Sequence, residues 1–226
     1  ENVDKIYDEM VKVRRTIHEN PELGDEEFET SKLIKRFLTE NGIEFFEVIN
    51  TGVVATIYND KENMENKTVA TRADIDALPI FEENDVDYKS KNTGKMHACG
   101  HDAHTTIQLG VAKVLAENKD KWHGTARFFF QPAEETSGGS DRMIKAGALK
   151  FEKEKDRKID AFFALHMAPE IELGKIGLKY GKAHASSARI HLTINGVSAH
   201  AALPHKGIDA ILIGAKVMEY LQSIVS

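Results

Sequence analysis

Residues Gly124–Glu135 read "GTARFFFQPAEE": three consecutive phenylalanines, then Pro132, then two adjacent carboxylates. An unbroken apolar run of strand length, closed by a turn residue, is the pattern of a strand covered on both faces. Three further stretches pair apolar or β-branched character with a polar end. "TGVVATIYND" (Thr51–Asp60) closes on Asn-Asp, "NKTVATRADIDALP" (Asn66–Pro79) runs into Asp74 and Asp76, and "KIDAFFALHMAP" (Lys158–Pro169) runs into His166. Helical spacing separates them. Val3, Ile6, Met10, Val13 and Ile17 mark a first helix that stops at Asn20-Pro21. Phe28, Leu33, Ile34, Phe37 and Leu38 predict a second over Asp25–Glu40. Ile107, Val111, Val114 and Leu115 predict a third over Ala103–Glu117, with Asp102 as its N-cap. "RMIKAGAL" (Arg142–Leu149) reads as a short helix. Strands alternating with helices imply a layered α/β fold, in which ligand sites form beyond the carboxyl ends of the strands.

The tail differs in character. "SSARIHLTINGVSAH" (Ser186–His200) alternates, with Ala188, Ile190, Leu192 and Ile194 on one face, and "GIDAILIGAKVMEYLQSIV" reads as a helix. A strand and a helix after the glycine-rich "LGKIGLKYGKAH" suggest two domains, residues 1–183 and 184–226. The charge run Glu152–Lys158 reads as a solvated loop.

Composition narrows the function classes. The chain has 226 residues, 41% hydrophobic and 29% charged, with a formal net charge of −6, which is ordinary globular composition. Lys and Arg are scattered, so no nucleic-acid footprint is expected. No apolar run is long enough to span a membrane. A single cysteine fits a reducing, cytoplasmic setting.

The chemistry concentrates in "MHACGHDAH", Met96–His104, which holds three of the ten histidines, the only cysteine and an aspartate. Thiolate, imidazole and carboxylate are ligand types for zinc and related divalent metals. Cys99 and His101 reach a common centre if their backbone is not helical. Adjacent residues on an extended chain point opposite ways, so Glu134 and Glu135 act together only if a turn after Pro132 aims both inward. One would then bind metal and the other serve as general base. Each residue also has a plainer reading: Cys99 as inert core packing, the glutamates as surface charge, His166 as a satisfied core histidine, Asp74 and Asp76 as loop caps. His18, His123, His184 and His191 read as structural or exposed. A thiol-nucleophile hydrolase built on Cys99 leaves the glutamate pair and His166 without a role.

The segments "RTIHENPELGDEEFET", "TGVVA", "RADIDALP", "MHACGHDAH", "FFFQPAEE", "ALHMAP" and "GVSAHAALPHKGIDAI" occur in an order and spacing that resembles the M20 peptidase family, in its amidohydrolase branch. The resemblance implies a three-layer α/β/α zinc-peptidase-like catalytic domain with an inserted ferredoxin-like α+β lid, of which this chain holds the start. It implies two divalent metal ions, zinc, manganese, cobalt or nickel. Cys99, His101, Glu135 and His166 match the family's metal ligands, Glu134 its general base, and His200 a lid histidine that binds substrate. Arg72 stands where other branches have a ligand histidine, so Asp74 is at most a supporting residue, and His97 and His104 orient the ligands. The implied reaction is deacylation of N-acyl amino acids, with homodimer or higher assembly through the lid. A dipeptidase of the same family, or a non-catalytic metal-binding or dimerisation remnant, are the alternatives. The resemblance also implies that the catalytic domain resumes beyond Ser226 with a further ligand histidine, that the chain alone lacks competence, and that it leaves an unpaired sheet edge.

Overall fold

A computed structural model describes residues 2–136, 138–151, 157–182 and 190–224. The chain divides into two compact units, residues 1–170 and 171–226. The boundary expected at 183/184 and His184 lie outside the described residues, as do Glu152–Asp156 of the charge run.

Among its described residues the first unit holds four α-helices, α1 (Asn2–Glu19), α2 (Phe28–Glu40), α3 (His101–Glu117) and α4 (Gly139–Lys145). Its strands are β1 (Glu44–Val48), β2 (Gly52–Asn59), β3 (Thr68–Asp74), β4 (Gly124–Gln131) and β5 (Ala161–Ala164), in sheet order β1-β2-β4-β3-β5. The β1–β2 and β2–β4 pairs are antiparallel, whereas β3 lies parallel to β4 and β5.

Side-chain alternation along the strands splits the core into two layers. Val53, Ala55 and Ile57 of β2 and Phe128 and Phe130 of β4 pack with Ile34, Phe37 and Leu38 of α2 and Leu109 and Ala112 of α3. Met10 and Val13 of α1 close this face. On the opposite face Val54, Ala70 and Phe129 pack with Met143 of α4 and Ala148. Every residue of β4 is buried, so the "RFFF" run is a central strand with helices on both faces. This is the expected three-layer arrangement. β5 departs from the buried reading: it is an edge strand among the described residues, with Phe163 61% exposed.

Four local expectations are corrected. α2 begins at Phe28 rather than Asp25, because Asp25 adopts a left-handed φ of 71° that cannot enter a helix. α3 begins at His101, and its N-cap is Gly100 at φ 86°. Asp102 turns inward instead of capping. β1, Glu-Phe-Phe-Glu-Val, was not anticipated.

The second unit contains a 3-10 turn (Pro204–Lys206), a bridge between Val197 and Ile208, and α5 (Ala210–Gln222). Asp209 caps α5 by accepting from the amides of Ile211 and Leu212. Ile190–Asn195 forms no strand, despite its alternation. Among the described residues no helix is long and apolar enough to cross a membrane.

Candidate metal centre

The parallel register of β3 with β4 and β5 puts their carboxyl ends on one rim, with Asp74 opposite Gln131 and Arg72 opposite Ala164. The turns that follow carry Asp76, Glu134–Glu135 and His166. The left-handed Gly100 starts α3 over the same rim. A Cβ on Gly100 would sit 2.9 Å from Met167 Cγ, so the α3 entry packs directly against the segment that bears His166.

Five predicted residues converge here. Ligand atoms of Cys99, His101 and His166 lie within 4.8 Å of one another, and so do those of His101, Glu134 and Glu135. Cys99 Sγ is 3.4 Å from His166 Nε2, and His101 Nε2 is 3.8 Å from Glu135 Oε1. The chain takes φ 51° at Ala133 and then turns through Glu134–Glu135, so the pair does not follow strand alternation and both carboxylates approach His101. His200 lies in the second unit, where its Nδ1 accepts from the amide of Ala202 at 3.1 Å.

Hydrogen bonding fixes the imidazole tautomers. His101 Nδ1 lies 2.8 Å from the carbonyl oxygen of Asp76 and 3.2 Å from its Oδ1. A carbonyl only accepts, so Nδ1 carries a proton, and in the neutral ring Nε2 presents a lone pair. That Nε2 is buried with no hydrogen-bond partner among the described residues. His166 Nδ1 likewise donates to the Met167 carbonyl at 2.7 Å, which leaves its Nε2 directed at Cys99. Two imidazoles oriented through Nδ1, with bare Nε2 atoms beside a thiol and a carboxylate, fit a divalent metal of the zinc type.

A third group, Asp74, His101 and His104, is also compact. Its His104 is committed elsewhere: Nε2 accepts the amide of Met167 at 2.8 Å and Nδ1 donates to Asp74 Oδ1 at 2.6 Å. His104 therefore braces the rim. Asp74 also pairs with Arg72 at 2.7 Å.

The electrostatics suit a cation. Burial, with the carboxylates of Glu135, Asp74 and Glu134, pushes the Cys99 thiol up to about 12, so a thiolate there requires a compensating positive charge. Burial opposes ionisation of Asp74, but His104, His101 and Arg72 outweigh it and hold the carboxyl at about 2. Desolvation and the neighbouring Glu135 push the Glu134 carboxyl up, the direction a proton acceptor near neutral pH requires.

Sequence reading missed a buried cluster behind the rim. His18, 4% exposed, lies between Asp102 (Nδ1 to Oδ2, 2.8 Å) and Glu82 (Nε2 to Oε1, 3.0 Å). Arg14 pairs with the same Asp102 oxygen at 2.7 Å. The i,i+4 spacing of Arg14 and His18 was the one local signal available. His97 is buried as expected of a supporting residue; burial lowers it to about 4, and neither ring nitrogen has a partner among the described residues.

Residues 70–221 match the model of Peptidase family M20/M25/M40. The chain is 43% identical to the N-acetyl-L-cysteine deacetylase of Bacillus subtilis (strain 168), covering 100% of this chain and 52% of that protein. It is 40% identical to the N-acyl-L-amino acid amidohydrolase of Geobacillus stearothermophilus, covering 99% and 58%. Against the solved Bacillus subtilis YXEP protein, described as a dinuclear metal binding peptidase from the M20 family, identity is 40% and TM-score 0.69, over 78% of this chain and 47% of that one. The chain thus spans about half the length of the curated relatives it matches. With the family model covering most of its length and these relatives at 40% identity or above, the chain belongs to Peptidase family M20/M25/M40.

Proposed function

We propose that this chain is the N-terminal part of a metal-dependent hydrolase that removes the acyl group from N-acyl amino acids. The observation that carries the reading is the convergence of Cys99, His101 and His166 with the Glu134–Glu135 pair on one rim. The names of the relatives support the substrate class. Cys99, His101, Glu135 and His166 would hold two divalent ions, of zinc, manganese, cobalt or nickel. When bound, such ions polarise a carbonyl and make water a stronger nucleophile. The Glu134 carboxylate takes a proton from the attacking water and returns it to the departing amine as the amide C–N bond breaks. The hydroxyl ends on the acyl carbon and the proton on nitrogen. His200 contributes to substrate binding from the second unit, read as the start of a ferredoxin-like lid through which copies assemble.

The test is turnover by the full-length protein of N-acetyl amino acids, N-benzoyl amino acids and dipeptides, with Glu134→Ala alongside. Cleavage of acyl substrates, reduced to a small residual rate in Glu134→Ala with metal retained, is expected. Turnover of dipeptides alone would make the protein a dipeptidase, and metal uptake without any turnover would make it a binding remnant.

A further inference from the structure

The segment Pro21–Glu27, "PELGDEE", supplies no residue to the proposed machinery, yet it runs directly behind both acidic turns of the rim. Leu23 bridges Ala77 in parallel, and the Ala77 amide donates to the Glu22 carbonyl at 2.8 Å. A Cβ on Gly24 would lie 3.0 Å from Ala133 Cα, so the backbones pack without room for a side chain. Asp25 pairs with Arg142 of α4 at 2.5 Å.

The segment ends in Glu27, which is 0% exposed. A carboxylate this deep needs partners for its oxygens, and each has one. Oε1 accepts the Ala133 amide at 2.8 Å, and Oε2 accepts the Thr51 hydroxyl at 2.8 Å. Thr51 sits in the β1–β2 turn, 1% exposed. Glu27 therefore joins the start of α2, the β1–β2 turn and the exit of β4. The residue it grips just after β4 is Ala133, whose φ of 51° is a conformation that side-chain-bearing residues rarely hold unless their surroundings impose it. That conformation sets the direction in which the chain leaves Ala133 and enters the Glu134 turn.

We infer that Glu27 is a positioning residue for Glu134: its buried carboxylate, anchored by Thr51, holds Ala133 in the left-handed conformation that aims the Glu134 carboxylate into the metal centre. This rests on the reading of Glu134 as general base.

The experiment is a double-mutant cycle on the full-length, metal-loaded protein with Glu27→Ala, Glu27→Gln, Glu134→Ala and the Glu27→Ala/Glu134→Ala pair. Glu27→Gln keeps both contacts, because its amide oxygen accepts from Ala133 and its NH2 donates to the Thr51 oxygen. It is expected to keep the parent kcat. Glu27→Ala is expected to lower kcat by about 10²-fold, as small misplacements of a reacting group do, with KM and metal stoichiometry unchanged. In the Glu134→Ala background it should add no further loss, since both changes act through one group. A crystal structure of Glu27→Ala should show Ala133 out of the positive-φ region. If Glu27→Ala does not fold, Glu27→Asp, one methylene too short to span both partners, serves in the same cycle. Unchanged kcat in Glu27→Ala, losses that add in the double variant, or Glu27→Gln as damaging as Glu27→Ala would each overturn the inference while leaving Glu134 as base. Full activity in Glu134→Ala alone would overturn both.

Discussion

His101 and Asp76 are joined twice: the imidazole Nδ1 meets the Asp76 main-chain carbonyl at 2.8 Å and its carboxylate Oδ1 at 3.2 Å. The other carboxylate oxygen of Asp76 accepts the amide of Glu135 at 3.0 Å. One side chain thus orients two proposed ligands that stand on different elements, α3 and the turn after β4. The carbonyl contact alone preserves the His101 tautomer, so Asp76 acts mainly through rigidity.

Asp76→Ala is therefore expected to leave the fold intact and weaken metal affinity by about 10–100-fold, the usual cost of losing a partner behind the ligands. Competition with a chromophoric chelator measures it. Undiminished affinity would mean that the carbonyl suffices to set His101 and that Glu135 needs no brace.

His104 gives a contrasting prediction. Both its nitrogens are engaged, one by the Met167 amide and one by Asp74. His104→Phe should cost about 1–3 kcal/mol of stability, the scale for leaving buried polar groups unpaired, read from urea denaturation. Metal stoichiometry should stay at the parent value. Loss of an ion would instead make Asp74, His101 and His104 a ligand set.

The rim itself was legible in the sequence because its signals are local: apolar strands that run into Asp74, into Glu134–Glu135 and into His166, and a ligand-rich turn before a helix. The parallel β3–β4–β5 register then brings these ends together without any information beyond strand direction. What was not legible depends on distant pairing. Asp102 reads as an N-cap by its position, yet its partner His18 is 84 residues away and draws it inward. Glu27 looks like one member of an acidic run until Thr51 and Ala133 close around it. The alternation at Ile190–Ile194 was a pattern without a partner strand, and among the described residues it forms no ladder. β1 was missed because its five residues, Glu-Phe-Phe-Glu-Val, show no period-2 alternation of apolar and polar side chains.

The metal centre depends geometrically on the glycine at position 100. Its φ of 86° is strained for any residue with a Cβ, and the added atom would approach Met167 at 2.9 Å, beside His166. Gly100→Ala should destabilise by about 1–2 kcal/mol from the backbone term alone, visible as a lower thermal midpoint. Because Met167 must shift, metal affinity should fall as well. A variant with parent metal affinity would show that the His166 segment adjusts independently of the α3 entry.

The His18 cluster makes stability depend on pH in a direction that can be worked out. The hydrogen bond His18 donates to Asp102 raises the imidazole above its ordinary 6.5, against the opposing effect of burial and with further help from Glu82. A group whose folded pKa exceeds its unfolded value contributes fully below the unfolded value and loses that contribution as pH rises through the folded one. Asp102 and Glu82 shift the other way: burial opposes, but His18 together with His97 and Arg14 lowers Asp102, and His18 together with the Ser90 amide and Asn84 lowers Glu82. Their contribution is present above their ordinary 3.8 and 4.5 and is lost as pH falls through their lowered folded values. The cluster is thus at full strength between the ordinary carboxylate range and about 6.5 and weakens on either side. Urea denaturation of the parent and His18→Gln should show the largest difference in stability near pH 6, shrinking in alkaline buffer once the imidazole has lost its proton. A difference that stays constant from about pH 6 to 9 would mean that His18 is held neutral and contributes through packing against Tyr88 instead.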